Sequence, residues 1–253
     1  MIKIAICGAF GRMGMTIAGI VARDPEMELV AGVDVREGEF FGAPVVPAER
    51  FASLLAEKKP DVVIDFTVAA ASSQNIPVAA AAGCAIILGT TGLSEEQRAS
   101  IDAAITKGNV PAVISSNYSI GMNIFWLLVK EAARKLGDYD IEVTEAHHRY
   151  KKDAPSGTAK TILEILQQEV GPREEMYGRV GMKERGNEIG VHVIRGGDIV
   201  GDHSVMFASN FETITLSHQA YDRAVFAEGA IRAVKWITRQ KPAIYGMKDV
   251  LEL

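Results

Sequence analysis

The N-terminal segment constrains the fold more than any other part of the sequence. A short β-branched run, Ile2-Lys-Ile-Ala-Ile-Cys7, has the composition of a buried parallel strand and ends in a glycine-rich turn, Gly8-Ala-Phe-Gly-Arg-Met-Gly14. An apolar-periodic helix and a second strand at residues 28–33 follow, and Asp34 comes directly after that strand. This order of elements is that of a dinucleotide-binding βαβ unit. Phe10 stands where the commoner G-x-G-x-x-G pattern has its second glycine, so by itself the turn also suits an ordinary strand-to-helix connection.

Strands and helices continue to alternate as far as residue 118. Predicted helices lie at 49–57, at 72–82 and after Ser94, and predicted strands lie at 61–66, 84–88 and 110–114. Ser94, with Gln97 three residues later, predicts a capping box at the start of its helix. This rhythm predicts an α/β domain with a doubly wound parallel sheet of the Rossmann type. Ligands of such sheets bind at the carboxyl ends of the strands. The loops at those ends are rich in glycine, hydroxyl and amide groups, and we predict a binding crevice lined by Gly8 to Met13, Asp34, Phe66-Thr67, Gly89-Thr90-Thr91 and Ser115-Ser116-Asn117-Tyr118.

The pattern changes after residue 118. A helix at 121–136, a strand at 139–146 and a helix at 157–170 are followed by a glycine-rich, charged segment at 171–190, which we interpret as a long loop. Three strands at 190–194, 199–208 and 211–218 then come without helices between them, and a last helix spans 223–239. Consecutive strands predict a second, α+β domain with a mostly antiparallel or mixed sheet. We expect domains at 1–118 and 119–227.

The overall composition limits the classes of function. The formal net charge of −5 argues against general nucleic-acid or anionic-membrane binding. No apolar run has the length of a membrane-spanning helix, and the first residues lack the features of a signal peptide. Cys7 and Cys84 each lie in an apolar run and are predicted to be buried thiols. We therefore expect a reduced, cytoplasmic protein.

A basic cluster is the main anomaly in this acidic chain. His147 and His148 are adjacent, with Arg149, Lys151 and Lys152 close behind, and Pro155-Ser156-Gly157-Thr158 opens a predicted helix. A helix N-terminus attracts anions, and histidine exchanges protons near neutral pH. The cluster suits a small acidic substrate that must be held and protonated, although Ser156 and Thr158 also suit simple helix capping.

The adjacent histidines need a specific local geometry. Neighbouring side chains on a regular strand point to opposite faces, so we expect both histidines to lie in the loop that leaves the strand. Adjacent histidines are poorly spaced to chelate, and we predict no metal site. We interpret His192, His203 and His218 as structural or exposed.

The cluster also resembles a known family. Glu145-Ala-His-His-Arg-Tyr-Lys-Lys-Asp-Ala-Pro-Ser-Gly-Thr-Ala159 is similar to the signature of the 4-hydroxy-tetrahydrodipicolinate reductase (DapB) family of lysine biosynthesis. Further segments resemble the family in the same order, namely Gly8-Ala-Phe-Gly-Arg-Met-Gly14, Ile64-Asp-Phe-Thr67, Gly89-Thr-Thr-Gly92, Asn117-Tyr-Ser-Ile-Gly-Met-Asn123, Arg195-Gly-Gly-Asp-Ile-Val-Gly201 and Met247-Lys-Asp-Val-Leu251. The resemblance covers essentially the whole chain.

The resemblance implies an NADH- or NADPH-dependent reduction that yields tetrahydrodipicolinate, a cyclic dicarboxylate. It implies that His147 is the catalytic acid/base, that Lys151 is a second proton donor, and that His148, Gly157 and Thr158 contact the substrate. It also implies a homotetramer, and a last helix, from about residue 228, that completes the first domain with residues 228–253. Together with Asp34, the cofactor contacts are expected from Gly8, Ala9, Phe10, Gly11, Arg12, Met13, Gly89, Thr90, Thr91, Ser115, Ser116, Asn117 and Tyr118.

One position departs from many relatives. In those relatives an arginine suited to the 2′-phosphate of NADP directly follows the acid, whereas here Val35 follows Asp34 and Arg36 comes one place later. We therefore predict that NADH is preferred or that both cofactors are used. Two alternatives remain open: another oxidoreductase or a methyltransferase on the same fold, and a non-enzymatic sensor that binds NADH. A sensor would have no need for the histidine–lysine cluster.

Overall fold

The computed structural model of the chain describes residues 1–253 and divides them into two units, one formed by residues 1–120 with 224–253 and one by residues 121–223. No helix combines the length and the apolar character that a membrane crossing requires. The elements of the first unit are β1 (Ile2–Cys7), α1 (Arg12–Val21), β2 (Met27–Val33), β3 (Gly38–Phe40), β4 (Ala43–Val46), α2 (Phe51–Lys58), β5 (Val62–Asp65), α3 (Ala69–Ala81), β6 (Ala85–Leu88), α4 (Glu95–Gly108) and β7 (Ala112–Ile114). The second unit contains α5 (Ile120–Lys135), β8 (Asp140–His147), α6 (Gly157–Val170), β9 (Glu175–Tyr177), β10 (Ile189–Arg195), β11 (Gly201–Ala208) and β12 (Thr213–Ala220). The chain then returns to the first unit with α7 (Ala224–Ile237), β13 (Ile244–Tyr245) and α8 (Met247–Val250).

The first unit is built on an eight-stranded sheet in the order β13-β7-β6-β5-β1-β2-β4-β3. All neighbouring strands run parallel except β3 and β4. The predicted Rossmann-type architecture is therefore confirmed. The sequence reading missed β3, β4 and β13, which are four residues or shorter and lie at the two edges of the sheet.

Alternation along the central strands builds a core on each face of this sheet. Ile4 and Ile6 of β1 face a cluster formed with α1 and α7, whereas Ala5 and Cys7 face a cluster formed with α2, α3 and α4. Strands that are covered on both faces read as continuous apolar runs, which is why they were visible in the sequence. Ser94 caps α4 through a capping box with Gln97, as predicted.

The second unit has a five-stranded sheet in the order β12-β11-β8-β10-β9. β10 runs parallel to both β8 and β9, whereas β11 runs antiparallel to β8 and β12. The sheet is therefore mixed, with two parallel and two antiparallel strand pairs, and the prediction of a mostly antiparallel or mixed sheet is confirmed. Helix α6 is the reason for the parallel pairs, because it carries the chain back so that the later strands β9 and β10 can run parallel to β8. The long loop expected at 171–190 is interrupted by β9, an edge strand of three residues.

One face of this second sheet packs against α5 and α6. Ile141 and Val143 of β8 lie in that core, together with Val205 and Phe207 of β11. The same alternation continues along β8 to Glu145 and His147, which are both buried. Two polar residues therefore extend an apolar strand face, and they form the centre of the candidate site.

Candidate active site

The glycine turn of the first unit has the geometry of an anion-binding loop. Gly8 has a φ of +76°, a backbone conformation that favours glycine. A Cβ at Gly14 would lie 2.1 Å from the Gly8 carbonyl oxygen, so only glycine lets α1 start this close to β1. Gly11 occupies the N-cap position of α1, where no side chain accepts a hydrogen bond from the first-turn N–H groups. No acidic residue lies in the first turn. The first-turn N–H groups of α1 are thus available to a phosphate.

Asp34 is tied to this turn. Its Oδ2 accepts a hydrogen bond of 2.9 Å from the backbone N–H of Phe10, and its Oδ1 accepts one of 2.8 Å from Val35. The Phe10 ring packs edge-on against Phe40. The Arg36 guanidinium lies over the Phe10 ring, 5.1 Å from its centroid. The residue that replaces the usual glycine therefore anchors the acid with its backbone and Arg36 with its ring.

A buried polar cluster that sequence reasoning did not single out supports the neighbouring loops. The Asp65 carboxylate, at the end of β5, is fully buried and accepts hydrogen bonds from the Thr67 backbone and hydroxyl, Ser72, Asn75 and Thr90. A Cβ at Gly8 would lie 3.0 Å from the Thr67 methyl group, so this loop also touches the glycine turn. The cluster thereby links the loops that follow β1, β5 and β6.

The predicted cofactor residues divide into edge and core positions. Gly11, Arg12, Thr91 and Ser116 are exposed, and several others are half-buried, namely Gly8, Phe10, Met13, Asp34, Gly89, Ser115 and Asn117. Ala9 and Thr90 are buried, and the Thr90 hydroxyl is engaged by the Asp65 cluster.

Tyr118 has its side chain in the core of the first unit. Its side chain is 1% exposed, its ring packs on Phe66, and its hydroxyl lies within hydrogen-bond distance of the Leu88 and Val113 carbonyls. Burial raises the pKa of the Tyr118 phenol. A Cβ at Gly229 would lie 1.7 Å from the Tyr118 carbonyl oxygen, so α7 packs directly on this residue. The Tyr118 side chain therefore packs in the core, and the cofactor contact expected of this residue stays a prediction.

In the second unit, His147 is the last residue of β8 and is 8% exposed. Its Nδ1 lies 2.6 Å from Oε2 of Glu145, two residues earlier on the same strand face. Arg195 binds both oxygens of the same carboxylate at 2.8 Å each, and the Ser156 backbone N–H donates to Oε1 at 3.0 Å. The remaining ring nitrogen of His147, Nε2, faces Gly201, where a Cβ would lie 3.2 Å away.

The strand register explains why these side chains meet. Arg195 of β10 pairs with His147 in the parallel β8–β10 ladder, and His203 of β11 pairs with Glu145 in the antiparallel β8–β11 ladder. Directly paired residues on neighbouring strands share a face of the sheet. Three strands therefore bring a carboxylate, a guanidinium and two imidazoles to one end of one face.

This arrangement corrects one expectation. His147 lies in the strand and only His148 lies in the loop, so the expectation that both histidines leave the strand was wrong for His147. His203 fits its interpretation as a structural histidine, because it is buried and its Nε2 lies 3.2 Å from Ser156 Oγ. Its ring centroid is 5.2 Å from that of His147. Burial, followed by the nearby charge of His147, lowers the pKa of His203 to about 3. His203 is thus neutral at physiological pH.

The Glu145 carboxyl is held in its ionised form. Burial alone would raise its pKa, but the hydrogen bonds from His147, Arg195 and the Ser156 N–H outweigh burial and lower the pKa to about 2. An ionised Glu145 requires that the hydrogen between it and His147 sits on Nδ1. Nε2 is then the nitrogen that can exchange a proton with a ligand.

The other predicted residues of the second unit lie in the loop after β8 and the start of α6. The Lys151 ammonium is half-buried and 2.9 Å from Asp153, and the His148 ring lies beside Tyr150. Gly157 and Thr158 are the first two residues of α6, where backbone N–H groups precede the first helical hydrogen bonds. Ser156 caps this helix by accepting from the Ala159 N–H.

Two family descriptions match the chain over nearly its whole length. "Dihydrodipicolinate reductase, N-terminus" matches residues 2–118, and "Dihydrodipicolinate reductase, C-terminus" matches residues 121–251. The chain belongs to the dihydrodipicolinate reductase family. It is therefore an oxidoreductase of the diaminopimelate and lysine biosynthesis pathway, and its family uses NAD(P)H.

Full-length relatives and a solved structure support this membership. The chain is 71% identical to the 4-hydroxy-tetrahydrodipicolinate reductase of Methanospirillum hungatei JF-1 and 68% identical to that of Methanoculleus marisnigri, with complete coverage of both sequences. A dipicolinate-bound dihydrodipicolinate reductase from Paenisporosarcina sp. TG-14 superposes with a TM-score of 0.80 at 26% identity, over 98% of this chain and 99% of that one.

The residues of the first unit fit a dinucleotide. The uncapped start of α1 and the close approach of Gly14 to Gly8 suit a pyrophosphate, and the Asp34 carboxylate suits ribose hydroxyls. No three His, Cys, Asp or Glu side chains come together in a way that could hold a metal ion.

Proposed function

We propose that this chain catalyses the NAD(P)H-dependent reduction of 4-hydroxy-tetrahydrodipicolinate to tetrahydrodipicolinate, with loss of water. The observation that carries the proposal is the buried His147 imidazole, whose Nδ1 is fixed by Glu145 so that Nε2 is left for proton exchange. Family membership supplies the reaction class, and this geometry supplies a proton donor for it.

The first unit would hold the cofactor. When bound, NAD(P)H supplies a hydride. The first-turn N–H groups of α1 bind the pyrophosphate, and Asp34 accepts hydrogen bonds from the ribose hydroxyls. The loops after β5 and β6 are kept in position by their hydrogen bonds to Asp65.

The second unit would hold the dicarboxylate. A dipicolinate-bound relative of the same fold makes a cyclic dicarboxylate a reasonable ligand class for this chain. One carboxylate binds the N–H groups of Gly157 and Thr158 at the start of α6, and the Lys151 ammonium and His148 supply further donors. Arg149 and Lys152 are exposed and contribute only to the local positive potential.

His147 would act as the general acid. Reduction of a conjugated imine leaves electron density that takes up a proton, and the imidazolium gives this proton from Nε2. Nδ1 stays protonated because Glu145 accepts from it. Lys151 would serve as a second proton donor.

The test is turnover with the product of dihydrodipicolinate synthase, followed by loss of nicotinamide absorbance. We expect His147→Ala and Lys151→Ala to lower kcat by roughly 100- to 10,000-fold while the NADH dissociation constant stays within a few-fold. Lys152→Ala is the matched control, because it removes an exposed lysine one residue from Lys151 and should retain turnover. Near-normal turnover in both variants would contradict the mechanism.

We also propose a role for each domain, an oligomeric state and a cellular location for this protein. Residues 1–118 with 228–253 form the dinucleotide-binding domain, and residues 119–227 bind substrate and assemble a homotetramer. Assembly is supported by the second sheet, of which only one face packs into the core with α5 and α6. A reducing cytoplasm suits Cys7 and Cys84, which are both buried and free.

A further inference from the structure

The Glu145 carboxylate is shared between a cation of fixed charge and a titratable ring. Oε2 lies 2.6 Å from Nδ1 of His147 and 2.8 Å from one Arg195 nitrogen, and Oε1 accepts from the other Arg195 nitrogen and from the Ser156 N–H. The residue is 0% exposed, so no solvent screens these contacts. The negative charge that the Glu145 carboxylate presents to His147 is therefore partly offset by Arg195.

The two partners act on His147 in opposite directions. A buried carboxylate beside an imidazole stabilises the imidazolium, and by itself it would make the ring hold its proton tightly. Arg195 occupies the same two oxygens and adds a positive charge nearby, so it offsets that stabilisation. A general acid works best when it is protonated at the working pH and still releases its proton readily.

We propose that Glu145 and Arg195 are an opposed pair of positioning residues for His147. Glu145 fixes Nδ1 as the protonated nitrogen and favours the imidazolium, and Arg195 limits how strongly it does so. The pair thereby sets the pH range over which Nε2 can donate. This inference rests on the proposed role of His147 as the proton donor.

Other charged or titratable groups near His147 come from β11, from the loop after β8 and from the start of α6. From β11, His203 approaches at 5.2 Å between ring centroids, and Gly201 has no side chain. From the loop after β8 and the start of α6, the nearby groups are Lys151, paired with Asp153, and the uncharged Ser156. Glu145 contacts the ring directly through the hydrogen bond to Nδ1, and Arg195 acts on the ring through Glu145. Replacing either residue should therefore shift the pH profile more than replacing another neighbour.

A purely structural role is the competing explanation. Arg195 also donates to the Asp153 carbonyl oxygen, and it could serve only to fasten the loop. That role predicts lower activity or stability after substitution, but it does not predict that the Glu145 and Arg195 variants shift the pH profile in opposite directions. The direction of the displacement separates the two explanations.

The experiment measures kcat against pH for the full-length chain with saturating NADH and the synthase product. A general acid acts only while it is protonated, so we expect the wild-type kcat to fall as the pH rises. Glu145→Gln removes the anion and should move this fall to lower pH. Arg195→Gln leaves the carboxylate unopposed and should move it to higher pH. We expect kcat at the optimum to drop by about 10- to 1,000-fold in Glu145→Gln, because Nδ1 loses its fixed acceptor.

Two further variants complete the test. Arg195→Lys keeps the charge but cannot bind both oxygens, so it should displace the fall upward by less than Arg195→Gln does, and it serves if Arg195→Gln does not fold. Glu142→Gln is the matched control, because Glu142 lies on the same strand, contacts His192 and Arg185, and faces the other side of the sheet. Its profile should match the wild type.

The possible outcomes separate this inference from the proposed function. Profiles that stay in place, or that move in the same direction for both variants, overturn the opposed pair. A wild-type chain that does not turn over the substrate, or a His147→Ala variant that retains turnover, overturns the proposed function instead. Binding of NADH, measured on each variant, verifies that the first unit is intact.

Discussion

At the scale of single residues, Asp34 has the clearest consequence for specificity. Its carboxylate is fixed by the Phe10 and Val35 N–H groups, while Arg36 lies over the Phe10 ring and Val35 is 93% exposed. A 2′-phosphate at roughly 5 Å from this carboxylate would be repelled by about 3 kcal/mol per unit charge at an effective dielectric constant near 20. Arg36 would have to leave the Phe10 ring to offset that repulsion.

We expect NADH to be preferred, or both cofactors to be used. Asp34→Asn removes the charge and keeps the shape, and it should raise the ratio of kcat/KM for NADPH to that for NADH by roughly 10- to 100-fold. Arg36→Ala should lower the use of NADPH with little effect on NADH. A strong wild-type preference for NADPH in kinetics with both cofactors would contradict the prediction.

Residue-level reasoning from the sequence recovered only part of the site. Strand β8 and the start of α6 lie within one segment, so His147, Lys151 and Gly157 were visible together. Arg195 and His203 lie 48 and 56 residues beyond His147, on β10 and β11, and join it only through the strand register, which the sequence alone did not give. Glu145 was within reach, because period-two alternation puts residues 145 and 147 on one face.

At the scale of elements, the Asp65 cluster holds the loops after β5 and β6 in their conformations. Five hydrogen bonds converge on one buried carboxylate, and Thr67 lies against the glycine turn. Burial, together with the neighbouring Asp65, also raises the pKa of the Cys7 thiol, so this cysteine is an unreactive core residue. The network therefore connects the core of the sheet to the edge at which we predict cofactor binding.

Asp65→Asn should destabilise the protein and weaken NADH binding together. The amide cannot accept from every donor that the carboxylate serves, so we expect a loss of roughly 2–3 kcal/mol in the free energy of unfolding. The NADH dissociation constant should rise several-fold because the loops lose their anchor. Both quantities are measurable by denaturant titration and fluorescence.

The control for this prediction lies on α3, the helix that carries Ser72 and Asn75 of the Asp65 cluster. Ser73→Ala removes a hydroxyl that donates only to the Ala69 carbonyl oxygen. It should change stability by less than about 1 kcal/mol and leave NADH binding unaltered. An Asp65→Asn variant as stable as the wild type would show that the cluster has no anchoring role.

The elements themselves were predicted where long apolar patterns exist. Buried parallel strands and the capping box of α4 are local signals, and they were confirmed. The short edge strands β3, β9 and β13 carry too few residues for a pattern. The direction of β10 depends on where α6 returns the chain, which is a property of the second unit as a whole.

At the scale of the whole molecule, we propose that the face of the second sheet opposite α5 and α6 carries the contacts of assembly. Met206 and Thr144 lie on this face, because they alternate with the buried Val205 and Val143. We expect the chain to form a tetramer through it. Met206→Glu should dissociate the tetramer, whereas Val180→Glu, at an exposed loop position, should not. Light scattering after size exclusion measures both, and a monomeric wild type would contradict the expectation.

The return of the chain to the first unit has a consequence for biosynthesis. Residues 224–253 supply α7, which packs in the same core as Ile4 and Ile6, and β13, which extends the sheet beside β7. A ribosome releases β1 to β7 before the second unit and these residues after it. Until they emerge, part of an apolar sheet face stays uncovered on the nascent chain, and the whole second unit is translated in the meantime. The unit that starts translation first is the one whose core is completed last.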